Sequence, residues 1–158
     1  MSSPQAYRLY SFVTNLYLSP LQCGLQTAHV VSELSAAKNR HTRDSAYKTW
    51  AEHDKTIIIC AALHHGGVLE CYEELKRINS ALLLPCALFR EDEVSMNGMA
   101  TACGVIVPKE YYEAQPVKGD DGKVFAWEFL DEQFKASRYP LTHAEGQFIN
   151  HIKGYRLA

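Results

Sequence analysis

Two side-chain amides and an imidazole recur within one short stretch. Gln22, Gln26 and His29, followed by Glu33, stand at i, i+4, i+7 and i+11. On a helix that spacing gathers them into one polar ridge. A solvated helix face usually offers lysine and glutamate, whereas this one offers groups that hold fixed donors and acceptors. The preceding Ser19-Pro20-x-Gln22 is a strong helix start, with Ser19 as cap, proline at the first helical position and Gln22 completing a capping box. The uncommitted N–H groups of such a terminus favour an anion. A phosphate or a carbonyl oxygen would suit the corner, with Ser19, Gln22 and Gln26 as ligand-binding groups. The bland alternative is an ordinary exposed face on which Gln22 merely caps.

A second candidate is Phe89-Arg90-Glu91-Asp92-Glu93, at the end of an apolar run. A loop at the carboxyl end of a central strand is where α/β sheets place ligands. There Glu91 or Asp92 can orient or deprotonate a nucleophile, and Arg90 can clamp a phosphate or pair with a carboxylate. Thr101 opens the next apolar run and can add a hydroxyl donor; a solvated charged turn and a structural threonine are the plainer readings. A third feature is the basic run Lys38, Arg40, His41, Arg43 and Lys48, able to meet an RNA backbone without reading its sequence.

The elements that must position these residues follow from pattern. Residues 7–14 are aromatic and β-branched, a strand. The helix after Ser19 carries Leu21, Leu25, Ala28 and Leu34 at helical spacing, a stripe expected to pack on the sheet. Residues 39–54 read as a polar connection with a helical stretch near 44–50. Residues 56–62 form a short apolar run, as in a strand covered on both faces. Gly66-Gly67 is expected to break the chain before a surface helix over 68–79. Strands are expected over 82–89 and 100–107, the last stopped by Pro108. Beyond it, 109–140 is rich in aromatics around Lys118-Gly119-Asp120-Asp121-Gly122, and 115–129 reads as a hairpin-like insertion too short for its own core. A final helix spans 141–153, and Tyr155-Arg156-Leu157 docks back. The fold class is α/β: one domain over 1–158, a four-stranded mixed sheet flanked by helices, with an aromatic-rich insertion before the last helix.

The 158 residues, 47% hydrophobic and 22% charged, describe an ordinary globular chain. A formal charge of −2 supplies no global field toward nucleic acid, so any such contact must be local. No apolar run approaches the roughly 18–20 residues of a membrane span, and the opening Met1-Ser2-Ser3-Pro4-Gln5 lacks signal-peptide character; a cytoplasmic protein without membrane partners is expected. The five cysteines form no C-x-x-C pair and read as reduced thiols, mostly buried. His64-His65 is the sole local hint of metal binding, and neither a metal nor a cofactor is expected. No G-x-G-x-x-G, Walker loop, G-x-S-x-G or kinase signature occurs.

In order along the chain, the pieces resemble the type II peptidyl-tRNA hydrolase superfamily. The matching stretches are Val13-Thr14-Asn15-Leu16, Leu18-Ser19-Pro20-x-Gln22-x-x-x-Gln26-x-x-His29, Trp50, Phe89-Arg90-Glu91-Asp92, Ala100-Thr101-Ala102 and Ile152-Lys153-Gly154-Tyr155-Arg156-Leu157. More narrowly, they look like a small bacterial and phage branch. The resemblance covers about 7–108 and 141–157. It implies a four-stranded mixed sheet, a homodimer, and metal-free hydrolysis of the ester between a peptide and the 3′ end of tRNA. By position, Gln26 and His29 match the family's helix motif and Thr101 its strand threonine. Where active members carry a Gly-Lys-Gly-Lys helix start, this chain has Ser19-Pro20-Leu21-Gln22.

Three readings follow. In the first the protein is an esterase on peptidyl-tRNA. Catalysis falls to Glu91 or Asp92 as base, His29 to position or shuttle a proton, and Thr101, Gln22 and Gln26 as donors. In the second it binds a nucleotide or an RNA end without turnover, as a phage-type protein sequestering a small signalling nucleotide would, with Tyr111, Tyr112, Phe125 or Trp127 as a stacking lid. In the third the insertion serves subunit contact.

Overall fold

The computed structural model describes residues 6–16, 19–37, 42–62, 65–131 and 137–158. It is an α/β domain built on a five-stranded mixed sheet. The order of elements is β1 (Tyr7–Val13), α1 (Pro20–Ala36), α2 (Thr42–Thr49) running into a π-helical turn (Trp50–Asp54), β2 (Ile57–Ala61), α3 (His65–Leu82), β3 (Cys86–Arg90), α4 (Glu93–Met96), β4 (Ala100–Pro108), α5 (Lys109–Tyr112), β5 (Gln115–Lys118), β6 (Val124–Asp131), β7 (Ser137–Pro140), α6 (His143–Lys153) and β8 (Arg156–Leu157). The main sheet runs β3-β4-β1-β2-β8. β1 and β2 are parallel, and the other three pairings are antiparallel.

β4 is an interior strand and every one of its nine residues is buried, which is what an uninterrupted apolar run requires. One core, centred on Phe12, Cys103, Val105, Leu75 and Phe148, packs α3 and α6 on one face. The other, centred on Leu9, Ile106, Val30 and Trp50, packs α1 and the π-helical turn on the opposite face. Gly104 is the point of closest approach there. A Cβ on it would stand 2.6 Å from Val30 Cγ1 and 3.1 Å from the Tyr10 carbonyl oxygen.

Several expectations change. The sheet has a fifth strand, because Arg156–Leu157 pairs with Cys60 and Ala61 of β2. Two residues are too few to show a period, so only their docking is readable from sequence. Gly66-Gly67 lies within the first turn of α3 instead of breaking the chain. β3 starts at Cys86, since 83–85 form a loop in which Leu83 takes a left-handed φ of 57°. The Asn79 amide holds that loop, donating to the Leu84 carbonyl and accepting from its N–H, both at 2.7 Å.

The expected apolar stripe on α1 is only partly inward: Leu34 packs in the core, but Leu21, Leu25 and Ala28 face out. Leu21 and Leu25 are 73% and 53% exposed, and the buried residues are Gln26, Thr27, Val30 and Leu34. Thr27 bonds the Ser11 hydroxyl of β1 at 2.9 Å, so the inner face of this helix is partly polar and satisfied.

In 109–140, β5, β6 and β7 form a small antiparallel sheet, with a tight turn at Gly122 (φ 77°). Tyr111, Tyr112, Phe125 and Trp127 do not come together as a lid. Tyr111, Tyr112 and Trp127 belong to the main core, Trp127 donating from its indole to Asn150 Oδ1 at 2.9 Å. Phe125 alone of the four is exposed. Lys38, Arg40, His41 and His64 lie outside the described residues, while Arg43 and Lys48 fall on α2. No helix among the described residues is long and apolar enough to cross a membrane.

Candidate functional site

The helix start behaves as its residue types require. Ser19 Oγ accepts from the Gln22 N–H at 3.1 Å, and Gln22 Oε1 accepts from the Ser19 N–H at 3.4 Å and from its hydroxyl at 3.2 Å. Ser19 and Gln22 are therefore engaged with each other as a capping box, on the exposed end of α1.

One turn further on, Gln26 points inward. Its Nε2 donates to Glu91 Oε1 at 3.1 Å, and its Oε1 accepts from Thr101 Oγ1 at 2.8 Å. The orientation is fixed by chemistry. An ionised carboxylate only accepts, so the amide NH2 must face Glu91. That turns the amide oxygen to Thr101 and commits the threonine hydroxyl to donating. Thr101 is fully buried and Gln26 is 6% exposed, so the line lies in a low-dielectric layer between α1 and the sheet. Glu91 sits at its outer end, half-buried, just past β3.

The loop carrying Glu91 is pinned from behind. The Glu91 N–H donates to the Met99 carbonyl at 2.9 Å, and Arg90 Nη1 donates to the Gly98 carbonyl at 3.2 Å. Asn97 and Gly98, both at positive φ, reverse the chain between them. Arg90 thus holds the turn, and Asp92 is exposed, its carbonyl accepting from the Gly98 N–H at 3.4 Å.

A second pair joins the same two elements. His29, exposed on α1, stacks on Phe89 of β3 with ring centroids 4.2 Å apart and planes 7° from parallel. The structure therefore groups Gln26, Glu91 and Thr101 by hydrogen bonds and places His29 beside them. Ser19 and Gln22 stand at the cap, and Arg90 and Asp92 on the turn.

Sequence reasoning missed a cluster around the buried Cys71 on the other face. His151 Nε2 donates to the Cys71 carbonyl at 3.1 Å and lies 3.5 Å from Cys71 Sγ. Hydrogen bonds from Cys103, His151 and Tyr155 push the Cys71 thiol down to about 6, against burial, which raises it. Burial would lower His151, but its bonds to Cys71 outweigh that and raise it. Burial drives Cys103 up. Cys71 and His151 are far apart in sequence, and no local spacing signals their meeting.

Fold and site together define an α/β domain presenting a carboxylate held by a buried amide–hydroxyl line. No model of a known protein family matches the chain, and no curated protein matches it.

Proposed function

We propose that this protein is a peptidyl-tRNA hydrolase-like esterase acting at the 3′ end of tRNA, with Glu91 as general base. The observation that carries the reading is the Thr101–Gln26–Glu91 line. It fixes one carboxylate oxygen by an amide N–H and holds the group half-buried just past the end of β3. Glu91 takes a proton from water as the water oxygen attacks the ester carbonyl. The C–O bond to the ribose 3′ oxygen then breaks, and that oxygen leaves as a hydroxyl with the proton from Glu91. Free tRNA and the peptide's carboxylic acid result, and the acid gives its proton to solvent. The order of motifs along the chain supports the same class, and the family resemblance implies that the reaction is metal-free. Thr101 acts through Gln26 and is a positioning residue rather than a donor to substrate.

A second reading, nucleotide or RNA binding without turnover, is favoured by one observation. Ser19 and Gln22, where active relatives would carry lysine, are engaged in the cap. Release of peptide from purified peptidyl-tRNA by wild type and Glu91→Gln separates the two. The substituted side chain retains an oxygen for the Gln26 amide, so the fold persists, while loss of the base lowers turnover by about 10²–10⁴-fold. Equal turnover by the variant would overturn the role of Glu91; binding without turnover in either protein would establish the second reading.

A further inference from the structure

We infer that His29, backed by Phe89, is a stacking platform for a nucleobase of the substrate rather than a proton shuttle; this rests on the hydrolase reading and assigns the part of the substrate that the same site grips. Three observations carry it. The two rings are nearly coplanar in orientation, 7° apart at 4.2 Å, so one face of the imidazole is covered by Phe89. His29 is an exposed residue and Phe89 a half-buried one, which leaves the outer face of the imidazole toward solvent, on a ring whose tilt is set from beneath. A flat ring held rigid in this way stacks on a base with little ordering cost.

The third observation is register. Gln26 meets Glu91, and His29 meets Phe89. Three residues along α1 advance about 4.5 Å, and Phe89 stands two residues before Glu91 at the end of β3, where the pairing with β4 shifts register. The platform therefore stands roughly one helical turn, about 5 Å, from the carboxylate. A nucleoside spans its 3′ ester and its base across one ribose, a comparable reach. With the ester carbonyl at Glu91, the base of the same nucleotide comes to His29. An aromatic side chain of the peptide offers the same ring chemistry from the other side of the ester, so the test includes both sources.

The experiment uses the full chain with labelled histidine. Adenosine, ribose and N-acetyltryptophanamide are titrated separately while the His29 ring protons are followed by NMR. Adenosine is expected to move them upfield by ring current, and ribose to leave them in place. In parallel, turnover of peptidyl-tRNA is measured for His29→Ala and His29→Phe. Alanine removes the platform and raises KM by about 5- to 150-fold, the range of one base–aromatic stack. Phenylalanine restores a flat ring without a titratable nitrogen and recovers most of the lost affinity.

The inference is overturned by any of three results: no shift with adenosine, an equal or larger shift with N-acetyltryptophanamide, or a His29→Phe protein as impaired as His29→Ala. Failure of the hydrolase reading looks different. Wild type then releases no peptide, while the adenosine titration still decides whether His29 stacks a base.

Discussion

Replacing Thr101 by valine removes one hydroxyl and little else. The side chain keeps its branched shape, suits a strand equally well, and remains fully buried. What changes is the 2.8 Å bond to Gln26 Oε1, which then faces a methyl group with the amide 6% exposed. A buried acceptor left without a donor costs about 1–3 kcal/mol. For a chain of 158 residues that corresponds to a fall in Tm of about 3–9 °C. Gln26→Leu should cost a similar amount, since it strips Thr101 of its acceptor and Glu91 of an amide donor. The double variant Gln26→Leu/Thr101→Val removes both ends of the bond. It should be less destabilised than the sum of the singles, with a coupling of about 0.5–3 kcal/mol. Urea denaturation followed by circular dichroism measures all four proteins, with a constant m-value certifying comparable unfolding. If Thr101→Val lies within about 0.5 kcal/mol of wild type, or if the two singles simply add, the line does not exist as a connected unit.

Two further perturbations address the packing and the buried thiol. Gly104→Ala drives a methyl against Val30 Cγ1 and the Tyr10 carbonyl, so α1 must shift from β4. A loss of about 1–3 kcal/mol is expected in thermal unfolding, and an unchanged Tm would refute the close approach. Cys71 ionises in the folded protein at about 6, below the ordinary thiol value of 9.0. Its contribution to stability is therefore complete above about pH 9 and is lost as pH falls through about 6; His151, raised in the fold, contributes in the opposite sense, fully below its ordinary 6.5 and less as pH rises through its folded value. Thiolate ultraviolet absorbance should rise in folded wild type near pH 6 and be absent there in Cys71→Ala. A first thiol titration only near pH 9 would refute the assignment.

Much of the layout is legible in the sequence because single residues carry it. Pro108 and the apolar run before it mark β4, and Ser19-Pro20-x-Gln22 marks the start of α1, both halves of its capping box being formed. Gln26, Glu91 and Thr101 each stand out on residue type, but nothing local says that one hydrogen-bonded line joins them across separations of 65 and 75 residues. Sequence presents His29 through its nitrogens, since the ring beneath it belongs to β3 and no spacing in α1 reports Phe89. The aromatics of 109–140 suggest a surface lid by composition. Tyr111 and Trp127 are instead drawn inward by Phe148 and Asn150 of α6, contacts that only the closed fold supplies.

The two outward leucines in the first half of α1 show which force sets the site. Periodicity weighs apolar area alone, and by area Leu21 and Leu25 belong inside, each worth about 1.5–3 kcal/mol when buried. Yet the sheet beneath α1 carries Ser11 and Thr101, both fully buried. Leucines seated over them would orphan two hydroxyls at about 1–3 kcal/mol each and leave Gln26 and Thr27 without these partners. The two terms are of similar size, and close packing breaks the tie, because only the observed rotation lets Val30 enter the space over Gly104. That rotation points Gln26 at Glu91 and His29 at Phe89. The polar inner face is thus the reason that α1 presents a carboxylate-holding amide and an exposed ring side by side, and the outward leucines are what the helix gives up to do so.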